Sequence, residues 1–115
     1  MVVLMKAILA MLLLAAAPPE TKPDRTVSIA AERFFFSPSR ITVKQGALVE
    51  FVLTSEDTEH GFHFAAASVN AVIPQQGKGE LRVRFRALKK GKYAFECSRA
   101  CGAGHTMMRG EVVVK

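Results

Sequence analysis

At 115 residues, half of them hydrophobic and 23% charged, the chain has the length and composition of one globular domain and not of two with separate cores. Its net charge of +6 is compatible with an anionic partner. The cations are scattered, however, and no basic stripe interleaved with aromatics occurs, which argues against a nucleic-acid partner.

Residues 1–17 stand apart from the rest. Lys6 is their only charge, and residues 7–17 are an unbroken run of Ala, Ile, Leu and Met that ends in Ala15-Ala16-Ala17. A basic start, a short apolar stretch and a small-residue end describe a secretory signal peptide. The alternative is a short uncleaved membrane anchor: as a helix, residues 2–17 reach roughly 24 Å against a hydrocarbon core of roughly 30 Å. Either way the remainder is expected outside the cytoplasm, in a periplasmic or equivalent space. Residues 18–25 contain three prolines and several charges and read as a linker. The folded domain is expected over 26–115.

Within that domain, short apolar stretches alternate with turn signals. Residues 26–30 put Val27 and Ile29 on one face. Phe34, Phe35 and Phe36 end at Ser37-Pro38, and residues 41–43 lead to a turn at Gln45-Gly46. Residues 47–54 are apolar except for Thr54 and Glu50, the pattern of a strand deep in a sandwich. Residues 81–85 alternate, with Leu81, Val83 and Phe85 inward and Arg82, Arg84 and Arg86 on a solvated face. A turn at 89–92, a strand at 93–97 and a last strand at 111–114 follow. Nothing after residue 17 sustains helical spacing, so about seven short strands predict an all-β, antiparallel sandwich.

The chemistry is concentrated in residues 97–108, Cys-Ser-Arg-Ala-Cys-Gly-Ala-Gly-His-Thr-Met-Met, directly after a strand. Thiolate and thioether are soft ligands that favour copper, and imidazole suits copper as well. Gly102 and Gly104 allow a tight loop that can turn Cys97, Cys101, His105 and Met108 onto one centre. Met107 is expected in the core. The residues alone leave open a disulfide between the two cysteines of an exported protein. They also leave open a zinc site, although zinc has no need of methionine. A loop by itself makes a loose site, so a ligand from elsewhere is expected. His60 and His63 are the candidates, and in an extended stretch they point to opposite faces, so one of them reaches the metal.

His60-Gly61-Phe62 followed by C-x3-C-x3-H-x2-M resembles the Cu-A domain of cytochrome c oxidase subunit II, a pattern shared by the C-terminal domain of nitrous oxide reductase. Residues 52–57 before the histidine and Gly91-Lys92-Tyr93 before the first cysteine are similar too, and the match covers residues 26–115. The resemblance implies a cupredoxin, a Greek-key β-sandwich, with a binuclear copper centre. Cys97 and Cys101 would bridge two copper ions, His60 and His105 would bind one each, and Met108 and the carbonyl of Arg99 would be the weak ligands. His63 is the fallback for His60. The implied role is one-electron transfer from a cytochrome c-like donor to an oxidase or another acceptor, with oxidase subunit I as a possible partner. Such a relay needs no general base, nucleophile or open coordination position. A mononuclear blue-copper site would leave Cys101 without purpose.

The chain also departs from that family. Oxidase subunits carry one or two membrane helices before the copper domain, where this chain has only residues 2–17, and this motivates an alternative reading as a periplasmic copper-binding or delivery protein. Arg99 stands where the family often has a glutamate that helps bind magnesium, so no magnesium site is expected. There is no tryptophan for electron entry. Phe34, Phe35 and Phe36 could substitute, with sandwich packing expected for at least two of them. Glu56, Asp57 and Glu59 form an acidic group, either a dock for a basic cytochrome or a solvated loop.

Overall fold

Period-two alternation lets each segment bury one face, and the computed structural model, which describes residues 21–115, turns these segments into nine strands. They are β1 (Arg25–Glu32), β2 (Phe35–Ser37), β3 (Arg40–Val43), β4 (Leu48–Ser55), β5 (His60–Phe64), β6 (Val69–Ile73), β7 (Leu81–Arg86), β8 (Gly91–Glu96) and β9 (Arg109–Val114). One sheet has the order β2-β1-β4-β7 and the other β3-β9-β8-β5-β6. The all-β sandwich expected from the sequence is what forms. The export segment expected at 1–17 and the start of the expected linker lie outside the described residues. Among those described, no helix is long and apolar enough to cross a membrane.

Two features differ from expectation. The sandwich is mixed, because β1 runs parallel to β4 and β3 parallel to β9. Alternation fixes which face of a strand is buried and says nothing about the direction of its neighbour. The intervening β2 and β3 carry the chain from one sheet to the other, so β1 meets β4 only after a crossover. The second feature is β6, an edge strand in the sequence Val-Asn-Ala-Val-Ile, whose mostly exposed pattern carries little apolar signal.

The core positions the site. Val27, Ile29 and Ala31 of β1 face Val49, Phe51 and Leu53 of β4 across the parallel register, and all six are buried. On the opposite sheet, β5 points His60, Phe62 and Phe64 inward, and β8 points Tyr93 and Phe95 inward, a row that Cys97 continues. The rings of Phe36, Phe62, Phe64, Phe85 and Phe95 meet at centroid distances of 5.0–6.3 Å, largely edge to face. Such contacts each contribute about 0.5–1.5 kcal/mol beyond area burial. Both inward rows end at one pole of the sandwich. Three connections gather there: the β1–β2 turn, residues 56–59, and the loop 97–108.

Candidate metal centre

His60 opens β5 on the same face as Phe62 and Phe64 and is 0% exposed, whereas His63 lies on the outer face, its side chain 43% exposed and 3.4 Å from Glu96. Alternation along the strand therefore puts His60 on the inner face and His63 on the outer one, the opposite faces that the three-residue spacing predicts. Close packing brings β5 against the loop. A Cβ on Gly61 would lie 2.3 Å from Ser98 Oγ and 2.7 Å from the backbone nitrogen of Arg99, so only glycine permits this approach. The Gly61 N–H donates to Cys97 Sγ at 3.4 Å.

The loop is closed at its base, where the Cys97 N–H donates to the Met108 carbonyl (3.1 Å). Its last turn is a 3-10 helix, His105–Met107. Three residues per turn stack positions three apart, so His105 and Met108 share the inner side and Met107 swings outward. Met107 is 79% exposed, which corrects its expected place in the core, while Met108 is fully buried. At Gly102, φ is +145°, a conformation that favours glycine, and a Cβ at Gly102 or Gly104 would lie 2.6 or 2.5 Å from the Phe34 ring. Phe34 is thus packed on the loop and against the core, Phe36 is buried, and Phe35 remains 49% exposed.

The donor atoms converge. Both cysteines are free and buried, with sulfurs 3.6 Å apart. On one side, Cys97 Sγ lies 4.0 Å from His60 Nδ1 and 3.2 Å from the Arg99 carbonyl oxygen. On the other, Cys101 Sγ lies 3.8 Å from His105 Nδ1 and 3.9 Å from Met108 Sδ. The ligand atoms of His60, Cys97 and Cys101 all fall within 4.8 Å of one another. Metal bonds of about 2.0–2.3 Å at near-tetrahedral angles place two donors on one ion roughly 3.3–3.8 Å apart, so these spacings are within a few tenths of an ångström of what shared metal ions require. The donor set is two thiols, two imidazoles and a thioether, which suits copper better than zinc or magnesium. A disulfide would require sulfurs about 2.05 Å apart, and they are free here.

Asp57 has a role that the sequence did not show. Its carboxylate is committed within the domain: Oδ1 accepts from His60 Nε2 at 2.7 Å and from the Thr58 N–H, and Oδ2 from the Arg33 N–H. Burial works against its charge, but hydrogen bonds from Arg33, His60 and Thr58 hold its carboxyl below the ordinary 3.8. A carboxylate on the far nitrogen of a metal-binding histidine fixes tautomer and ring orientation, and here it leaves Nδ1 turned toward the sulfurs. Glu59, of the same acidic group, pairs with Arg99 at 3.2 Å. The only signal for Asp57 was its place three positions before His60 in a short turn. Arg33, whose Nε–H donates to the Cys101 carbonyl at 2.8 Å, had no signal in the sequence at all. Burial first, and then the adjacent Cys97, push the Cys101 thiol up to about 11.

Comparison with known proteins agrees with this geometry. The cupredoxin-like domain family matches residues 5–114. Cytochrome c oxidase subunit 2 of Thermus thermophilus is 39% identical over 104 residues, which is 88% of this chain and 74% of that protein. The corresponding protein from another strain of Thermus thermophilus matches at the same identity, but the chain spans only 60% of its length. Among solved structures, the periplasmic domain of subunit II of the Bradyrhizobium japonicum cytochrome oxidase shares the fold at a TM-score of 0.74 and 17% identity, over 83% of this chain and 86% of that one.

Proposed function

The chain belongs to the cupredoxin-like family and, within it, to the cytochrome c oxidase subunit 2 family, and from that premise we propose that it relays single electrons through copper held by Cys97, Cys101, His60, His105, Met108 and the Arg99 carbonyl. The observation that carries this reading is the convergence of the other four donors on the two cysteine sulfurs, themselves 3.6 Å apart. Cys97 and Cys101 would hold the metal through their thiolates, with His60 and the Arg99 carbonyl on the side of Cys97 and His105 and Met108 on the side of Cys101. Copper held there would supply one-electron chemistry, and donors fixed in place would let an electron enter or leave with little ligand movement.

The protein's part is to keep that movement small. His60 is fixed by β5 and Asp57, Cys97 is fixed as the end of the β8 row, and the loop is tied at its base and pinned by Phe34. Burial of both thiols and of His60 keeps water from becoming an additional ligand. Electron relay of this kind asks for no nucleophile or general base. Electrons would come from a cytochrome c-like donor and pass toward an oxidase, on the periplasmic side of a membrane, with residues 1–17 as export signal or anchor. The same geometry would also let a delivery protein hold copper, and electron exchange separates the two. Mixing the copper-loaded full chain with reduced cytochrome c in a stopped-flow instrument should bleach the copper bands as the cytochrome oxidises, within milliseconds to seconds. Copper that instead moves to a chelating acceptor, with no oxidation of the cytochrome, would leave the delivery role.

A further inference from the structure

We propose that Arg33, on the turn between β1 and β2, is a positioning residue that clamps the two halves of the copper ligand set together and makes the centre easier to reduce. This rests on the ligand reading above. One residue reaches both halves. Its backbone N–H donates to Asp57 Oδ2 at 2.9 Å, and Asp57 Oδ1 holds His60. Its guanidinium Nε–H donates at 2.8 Å to the carbonyl of Cys101, 68 positions along the chain, in a part-buried contact. The next residue lays its ring on Gly102 and Gly104. The strand-borne histidine and the loop-borne cysteine are therefore tied to a single turn that supplies no ligand itself.

The consequence for the loop is mechanical. Residues 97–108 leave β8 and return to β9 with one backbone hydrogen bond at the base, and a loop of this length is free to breathe unless something holds its middle. Arg33 holds it at Cys101, the cysteine that sits between His105 and Met108. A charged donor on a carbonyl makes a stronger hydrogen bond than a neutral one. The consequence for the centre is electrostatic. Reduction adds one negative charge to the cluster, and a permanent cation beside the Cys101 main chain stabilises the added electron. The loss of that cation disfavours the reduced form.

The test uses the full chain with Arg33→Gln and Arg33→Lys, each metal-free and copper-loaded. In the metal-free protein, amide hydrogen exchange at His105, Met107 and Met108 should run about tenfold faster in Arg33→Gln, while amides of β4 and β5 stay unchanged. In the copper-loaded protein, the electron equilibrium with a reference couple should shift about threefold toward the oxidised centre, which is about 28 mV at 59 mV per tenfold. Arg33→Lys, which keeps the charge, should restore the potential and part of the protection. Arg33→Gln with unchanged exchange and unchanged potential overturns the proposal, as does a variant that only melts earlier without moving either. A wild-type chain that takes up no copper is a failure of the ligand reading, and the exchange arm still reads the clamp in that case.

Discussion

His60 and His105 face the same pair of sulfurs, but one arrives on a strand and the other on a loop, and the two are held by different physics. His60 is fully buried at the head of β5, its neighbours fixed by sheet register and its far nitrogen taken by Asp57. His105 is half-buried in a single 3-10 turn, and what restrains it is packing from outside its own element: Phe34 on Gly102 and Gly104, Arg33 on Cys101, and Met108 seated in the core. The strand half is a by-product of building the sandwich. The loop half has to be held in addition, and so this is where substitution should change rigidity without unfolding the domain.

Perturbing both halves at once should give the largest effect. Cys101→Ser removes a sulfur that lies within 4 Å of Cys97 Sγ, His105 Nδ1 and Met108 Sδ, so copper content should fall from two per chain to at most one, measured by elemental analysis against protein concentration. Asp57→Asn attacks the strand half first. It exchanges an anionic acceptor for an amide against His60 Nε2, and copper affinity should drop by about 10- to 100-fold in competition with a chelator. Phe34→Ala attacks only the loop half. Removal of a half-buried ring should cost about 2 kcal/mol in denaturant unfolding, with faster amide exchange in 102–108 and unchanged protection in β5. If Phe34→Ala loosened β5 as much as the loop, the two halves would not be separate units.

The smallest effect is on pH dependence in the metal-free chain. Burial, then Cys97, raise the Cys101 thiol from its ordinary 9.0 to about 11. Between those values the unfolded chain has lost a proton that the folded chain keeps, so rising pH lowers stability through this window. Below about pH 9 both states hold the proton and the contribution is constant. Thermal melts of wild type and Cys101→Ser across the window should diverge, with the wild type losing more. Parallel curves would show that the thiol is not desolvated in the metal-free state.

Much of this centre was legible because it is local. The 97–108 segment carries four candidate ligand side chains, and alternation set His60 and His63 on opposite faces of their strand, while the preference for His60 came from the resemblance. Met107 was misplaced because a run of two methionines has no periodicity of its own, and the 3-10 turn that separates their fates is visible only once formed. Parallel pairing of β1 with β4 and of β3 with β9 depends on crossovers between sheets, and no turn residue signals these. Asp57 and Arg33 were hidden for the same reason: charged residues in turns read as solvated, and their roles depend on contacts with chain as distant as Cys101.

One spectrum goes to the heart of the matter. Electron resonance of the oxidised, copper-saturated full chain, taken together with metal content, should show an unpaired electron split equally by two copper nuclei, in a purple protein with two coppers per chain. A single-copper splitting in a blue protein with one copper per chain would contradict the account.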